Sequence, residues 1–158
     1  MTRPPEFALV PIGKLLAHEE VEEENVAELL GELERTQVFA DPIWVARESL
    51  VILNGHHRVE ALRRLHATRV PVWLLDYDTD LVSLEPWRPG LPIAKTEVVR
   101  RAQKGELFPP KTTRHGVRVP LEPRPTPLAV LMPRRRGARQ SVASVPSDRR
   151  GGDVSRSG

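Results

Sequence analysis

The chain has 158 residues, enough for one domain with a hydrophobic core plus a tail, and it contains no cysteine. The missing thiols exclude disulfides, thiolate zinc sites and cysteine catalysis together. The net charge of +3 divides unevenly: residues 121–158 hold eight Arg against three acidic residues, whereas residues 1–120 hold 16 basic and 18 acidic ones, so the foldable part has no electrostatic reason to grip a nucleic-acid backbone.

In chain order, MTRPPEFALVPI lacks a basic segment followed by an apolar stretch, so no signal peptide is expected. No apolar run is long enough to cross a bilayer, and the expected compartment is the cytoplasm. Leu9 to Ile12 reads as a strand leading into GKLLAHEE. Val26, Leu29, Leu30 and Leu33 recur at helical spacing across Asn25 to Glu34. Ile43 to Ala46 and Leu50 to Leu53 are short β-rich runs joined by Arg47-Glu48-Ser49, a hairpin signal. Asn54-Gly55 ends the second run, and a helix with Val59, Leu62 and Leu65 on one face follows. Val70 to Leu75 is a buried-strand candidate, and Thr96 is placed to cap a helix running to about Lys104. LFPPKTTRHGV, with two prolines and no period, reads as a loop. From about Leu121 the chain is rich in Pro and Arg and is expected to be disordered. The expected architecture is α+β: a compact domain over 1–120 with a small mixed sheet and short helices, then a disordered basic tail over 121–158.

The most informative stretch is VILNGHHRVEALRRL, residues 51–65. An apolar strand stops at a glycine and a helix begins at once, which aims free backbone N–H groups and the positive end of a helix dipole at one spot. Gly55 permits close approach to the backbone. His56, His57 and Arg58 add donors at the same helix start, and Arg58 has the fork that suits phosphate oxygens. A metal reading is poorer, because adjacent histidines diverge and neither has an acidic ligand at i+4. These features describe an anion site.

NGHHR followed by an amphipathic helix resembles the signature turn of the ParB/sulfiredoxin-like superfamily, and within it the free L-serine kinase branch, whose usual form is DGHHR. PPKTTRH, Pro109 to His115, and VPIGKLLAHEE, Val10 to Glu20, resemble two further blocks of that branch in the same order. The resemblance implies a magnesium-assisted transferase that moves a phosphoryl group from ADP or ATP to the hydroxyl of free L-serine, giving O-phospho-L-serine, a step of amino-acid metabolism.

It also implies roles. Glu19 matches the catalytic glutamate and would accept the serine proton; as bare sequence, Glu19 to Glu24 is an acidic run before a helix. Asn54 stands where the branch has Asp, so as a magnesium ligand it offers a carbonyl oxygen without negative charge. Gly55, His56, His57 and Arg58 would hold phosphates, with Lys111, Thr112 and Arg114 on the opposite wall. Trp87, in a loop with Arg88-Pro89-Gly90, would wall the serine site with Thr113, His115 and Glu19. His18 and His66 read as structural, Trp44 and Trp73 as core.

The rival class is a ParB-like nucleotide- or DNA-associated regulatory module without kinase activity, including a sensor that lost turnover at Asn54. The core is not basic and no helix-turn-helix follows residue 120, so nucleic acid is not expected on the core; the Arg134-Arg135-Arg136 cluster leaves a weak contact open. No acidic cluster supports a nuclease. Sulfiredoxin chemistry needs a cysteine, which is absent.

Overall fold

The computed structural model describes residues 3–87 and 92–133. Its centre is a four-stranded mixed sheet in the order β1-β5-β3-β4, built from β1 (Glu6–Pro11), β3 (Ile43–Ala46), β4 (Ile52–Asn54) and β5 (Arg69–Leu75). β1 runs antiparallel to β5 with Ala8 opposite Val72. β5 runs parallel to β3, and β3 antiparallel to β4. The run RVPVWLL is apolar almost throughout because β5 is an inner strand covered on both faces. The expected hairpin forms, with Leu50 in a left-handed conformation (φ 61°) as its turn closes.

α1 (Glu23–Thr36) and α2 (His56–Arg64) cover one face of this sheet. α1 opens on Glu23 and Glu24, which suit the positive helix end, and buries Val26 and Leu33. It stops at Gln37, whose left-handed backbone sends its N–H to the Leu33 carbonyl. Val59, Ala61 and Leu62 of α2 meet this layer. On the other face, α3 (Lys95–Lys104) brings Val98 and Ala102 against Leu53, Leu75, Tyr77 and Phe108. Its N-cap is Ala94, so Thr96 lies inside the first turn and is not the cap expected from the sequence.

Two small sheets complete the domain and change the sequence reading. β6 (Val82–Pro86) pairs antiparallel with β7 (Thr113–Val117), so the second half of LFPPKTTRHGV is a strand and not a loop. The chain also does not leave the fold at Leu121. β8 (Thr126–Pro127) pairs with β2 (Val38–Phe39), and α4 (Leu128–Leu131) sets Leu128 and Leu131 into the core beside α1 and α2. Residues 121–133 therefore finish the domain. The remaining tail, with Arg134 to Arg136, lies outside the described residues, as do Arg88, Pro89 and Gly90. Among the described residues, no helix is long and apolar enough to cross a membrane.

Candidate active site

The segment after the first 3₁₀ turn, Ile12–Lys14, crosses the sheet end and carries the key carboxylate. The Leu16 N–H donates to the Leu50 carbonyl at 2.9 Å and the Ile52 N–H donates to the Leu16 carbonyl at 2.8 Å, a parallel bridge to Val51 that lays this segment beside β4. Two residues on, the Phe108 N–H donates to the His18 carbonyl at 2.8 Å, and the Glu20 N–H donates to the Phe108 carbonyl at 2.8 Å. Glu19 is thereby clamped between β4 and the residues leading into β7. Its carboxylate faces the turn at residues 111–113, where Lys111 is left-handed (φ 58°). Oε1 accepts the Lys111 N–H at 3.2 Å. Oε2 accepts the Thr112 N–H at 3.2 Å, the Thr113 N–H at 2.8 Å and the Thr113 hydroxyl at 2.8 Å. Successive N–H groups turned inward make a concave seat for an anion, and here the anion is the protein's own carboxylate.

Beside it opens a cavity of about 310 Å³. Glu19, Lys111, Thr113, Arg114 and His115 form one wall; Asn54, Gly55, His56 and His57 at the start of α2 form the other; Trp87 stands at the rim. The structure thus brings together ten of the twelve residues singled out from the sequence. Asn25, from the first turn of α1, joins them unforeseen; its amide donates to Glu22 at 2.9 Å. No motif marked it, since it merely follows the acidic run and reaches the cavity only because α1 packs on α2.

Arg58 and Thr112 depart from expectation. The Arg58 guanidinium turns away from Glu19, donates to the Asp41 carbonyl at 2.5 Å and lies 5.9 Å from the Phe39 ring. It lines a second cavity of about 480 Å³ with Phe39, Asp41 and Trp44, which meets the first at Asn54. At about 100° per residue, the two steps from His56 to Arg58 carry its side chain to another face of α2. The Thr112 hydroxyl donates to the Pro109 carbonyl at 2.7 Å, so only its backbone N–H serves the Glu19 seat. Thr113 and His115 line the cavity, but their polar atoms are engaged below its floor: the Thr113 hydroxyl with Glu19 and the imidazole of His18, and His115 Nε2 with the Tyr77 hydroxyl at 2.8 Å.

Gly55 also has a different reason from the one its position suggests. Its φ of 114° excludes most side chains, and a Cβ there would fall 2.4 Å from Cγ2 of Ile43. The missing side chain makes room for β3 rather than for a ligand. Asn54 is exposed at the cavity edge.

Histidines and cations divide the electrostatics between floor and rim. His18 is fully buried, His115 nearly so, and the His56 ring packs 4.6 Å from that of His18. His56 Nε2 accepts the His18 N–H at 3.1 Å, and His57 Nε2 accepts the Glu22 N–H at 3.0 Å, so each neutral ring carries its proton on Nδ1. Burial, then the neighbouring histidines, holds His56 well below the usual range. Burial and His18 push His115 down to about 3. Burial also lowers His18, partly opposed by the Glu19 charge. The floor is therefore neutral. At the rim, Lys111 lies 3.9 Å from Glu22, while Arg114 pairs with Glu85 at 3.1 Å and stacks 5.0 Å from the Trp87 ring. Both cations are exposed at the cavity rim.

No family model matches the chain. It is 27% identical over 110 residues to the ADP-dependent L-serine kinase SerK of Thermococcus kodakarensis, covering 67% of this chain and 46% of that protein. It is 30% identical over 90 residues to an ATP-dependent L-serine kinase of Desulfurococcus mucosus, covering 54% and 35%. The match spans less than half the length of either curated relative. A solved free serine kinase in complex with AMP superposes with a TM-score of 0.74 at 17% identity, over 83% of this chain and 95% of that one.

Proposed function

We propose that this chain, a homologue of the free L-serine kinases in sequence and a ParB/sulfiredoxin-like domain in fold, is itself a nucleotide-dependent kinase of free L-serine. One observation carries the reading: a carboxylate, Glu19, held by four donors at the side of a cavity whose other wall is the N-terminus of α2. Phosphoryl transfer to an alcohol asks for a positioned proton acceptor and concentrated positive potential around the moving phosphoryl group. Glu19 supplies the first. The N–H groups opening α2, the Nδ1–H groups of His56 and His57, and the Lys111 and Arg114 cations supply the second.

In this reading the serine zwitterion lies between Trp87 and Glu19. Its hydroxyl loses the proton to Glu19 as the oxygen forms a bond to the terminal phosphorus of the donor. The bond from that phosphorus to the bridging oxygen breaks, and AMP or ADP departs with the electron pair. The products are O-phospho-L-serine and the shortened nucleotide. The neighbouring cavity that meets the site at Asn54, with the half-buried Trp44 on its wall, has aromatic surface to receive the nucleoside. Free serine and a nucleotide as substrates suit a cytoplasmic protein.

Magnesium fits as a companion of the nucleotide. Among the described residues no three carboxylates or histidines gather as a metal cage, and Asn54 offers one neutral carbonyl oxygen. That donor set suits an ion carried largely by phosphates and water. Asn54 would touch it through its carbonyl oxygen, and the positive charge of the ion would be what neutralises the phosphates.

Phosphorus NMR of the purified protein with L-serine, Mg²⁺ and either ADP or ATP tests the reading. O-phosphoserine is expected with one of the two donors, and Glu19→Gln is expected to lower turnover by about 10²-fold or more. Absence of the product with both donors overturns serine kinase activity. Nucleotide binding retained in that case points to the regulatory module, which the neutral Asn54 favours.

A further inference from the structure

Beneath the cavity, His18 is fully buried and its Nε2 lies 2.8 Å from the Thr113 hydroxyl, which lies 2.8 Å from Oε2 of Glu19. A hydroxyl has one proton to give, and a carboxylate can only accept. The Thr113 proton therefore points at Glu19, and Thr113 accepts its second bond from His18. That direction requires the proton of the imidazole to sit on Nε2. His18 Nδ1 makes no well-aligned hydrogen bond among the described residues, with the Ile52 backbone beside the ring. The ring is held in place by the rings of His56 at 4.6 Å and His115 at 5.6 Å, and its backbone carbonyl by Phe108.

The consequence falls on the two oxygens of Glu19. Oε2 takes three donors: the Thr112 N–H, the Thr113 N–H and the Thr113 hydroxyl. Oε1 takes one, the Lys111 N–H at 3.2 Å. A carboxylate oxygen offers about two lone-pair positions, so Oε2 is saturated and Oε1 has one left. We infer that His18 and Thr113 are positioning residues that anchor Oε2 of Glu19 and so reserve Oε1 as the oxygen that receives the substrate proton. This rests on the kinase reading above. The O–H bond of the acceptor breaks, the Oε1–H bond forms, and neither His18 nor Thr113 gains or loses a proton. His18 acts through Thr113, and a ring without a fixed Nε2–H would leave the hydroxyl free to rotate off Glu19.

Four single variants and one double test the chain of bonds, with thermal melting as a check of folding. Thr113→Val keeps the shape and removes the hydroxyl; His18→Leu removes the donor. Each is expected to lower kcat about 10-fold or more while KM for nucleotide and for serine stays within about twofold, because a misdirected base costs turnover rather than binding. Thr113→Ser and His18→Gln restore a hydroxyl and a donor nitrogen in place and are expected to hold kcat within about threefold of the wild type. The double variant His18→Leu/Thr113→Val is expected to match Thr113→Val, since both break one chain. Wild-type kcat in His18→Leu, or a double-variant loss equal to the product of the two singles, overturns the inference.

A second readout does not depend on turnover. The amide resonances of Lys111, Thr112 and Thr113 report how Glu19 is seated, and Glu19→Gln defines their shift when the carboxylate is lost. His18→Leu and Thr113→Val are expected to move the Thr113 amide in the same direction, while His18→Gln and Thr113→Ser leave it in place. If the wild type makes no O-phosphoserine but these shifts appear, the kinase reading falls and the positioning chain stands. Unmoved amides in His18→Leu overturn the chain whatever the activity.

Discussion

His115 meets the Tyr77 hydroxyl through Nε2 at 2.8 Å, and its ring is kept neutral far below the ordinary histidine range, at about 3, chiefly by burial. The unfolded chain regains a histidine that protonates near 6.5, so between those values the unfolded state binds a proton that the folded state refuses. Stability from this residue is complete above about pH 6.5 and falls as the pH drops toward 3, by about 1.4 kcal/mol per pH unit at most. His18 and His56 are lowered too and act in the same direction. The melting temperature is therefore expected to fall steadily from pH 7 to pH 4.5, and His115→Gln to give a flatter profile. A wild-type curve level over that range would contradict a neutral histidine floor. At this scale the sequence named most of the residues that line the cavity beside Glu19, because NGHHR and KTTRH put unusual donors side by side. It could not say which way Arg58 turns or that the Thr113 hydroxyl is already spent, since both depend on partners 17 and 94 positions away.

The strand–turn–helix of β4 and α2 is the element on which the site depends, and Gly55 is its tightest point. A Cβ there would approach Ile43 to 2.4 and 2.8 Å, and the φ of 114° would strain any L side chain besides. Gly55→Ala is expected to destabilise the protein by about 2–4 kcal/mol, read as a lower denaturant midpoint at unchanged slope. Adding Ile43→Ala removes the Cγ2 contact at 2.4 Å but keeps the Cβ at 2.8 Å, so the double variant is expected to lose only a little less than the sum of the two. This turn was legible because an apolar run, a glycine and a helical period follow one another within fifteen residues. The β6–β7 pair was not. Thr113–Val117 has polar residues after two prolines, and its strand character comes from pairing with Val82–Pro86, some thirty positions earlier.

At the scale of the whole molecule, the last described stretch closes the fold that the first part began. Leu131 is fully buried and Leu128 nearly so, against residues of α1, α2 and the sheet. The Thr68 N–H donates to the Leu131 carbonyl at 2.8 Å, and the Leu128 N–H to the Gln37 carbonyl at 2.9 Å. Leu131→Ala is expected to cost about 2–5 kcal/mol. A chain ended at residue 120 is expected to melt at a markedly lower temperature than the full chain; equal melting temperatures would return the domain boundary to Leu121.

By itself, the sequence determined the class of the fold, the helix faces, the β3–β4 hairpin and the strand–glycine–helix turn of β4 and α2. Each of these is written in neighbours: a period, a polar turn, a glycine between a strand and a helix. Tertiary structure decided where the domain ends, which residues between 108 and 117 pair, and how Glu19 is held. A four-residue helix such as LAVL gains its stability from the core it fills and not from its own turns. The Glu19 seat likewise needs three backbone N–H groups and a hydroxyl from a turn more than ninety residues away. Local signals can name such residues, and only packing can bring them within hydrogen-bond reach.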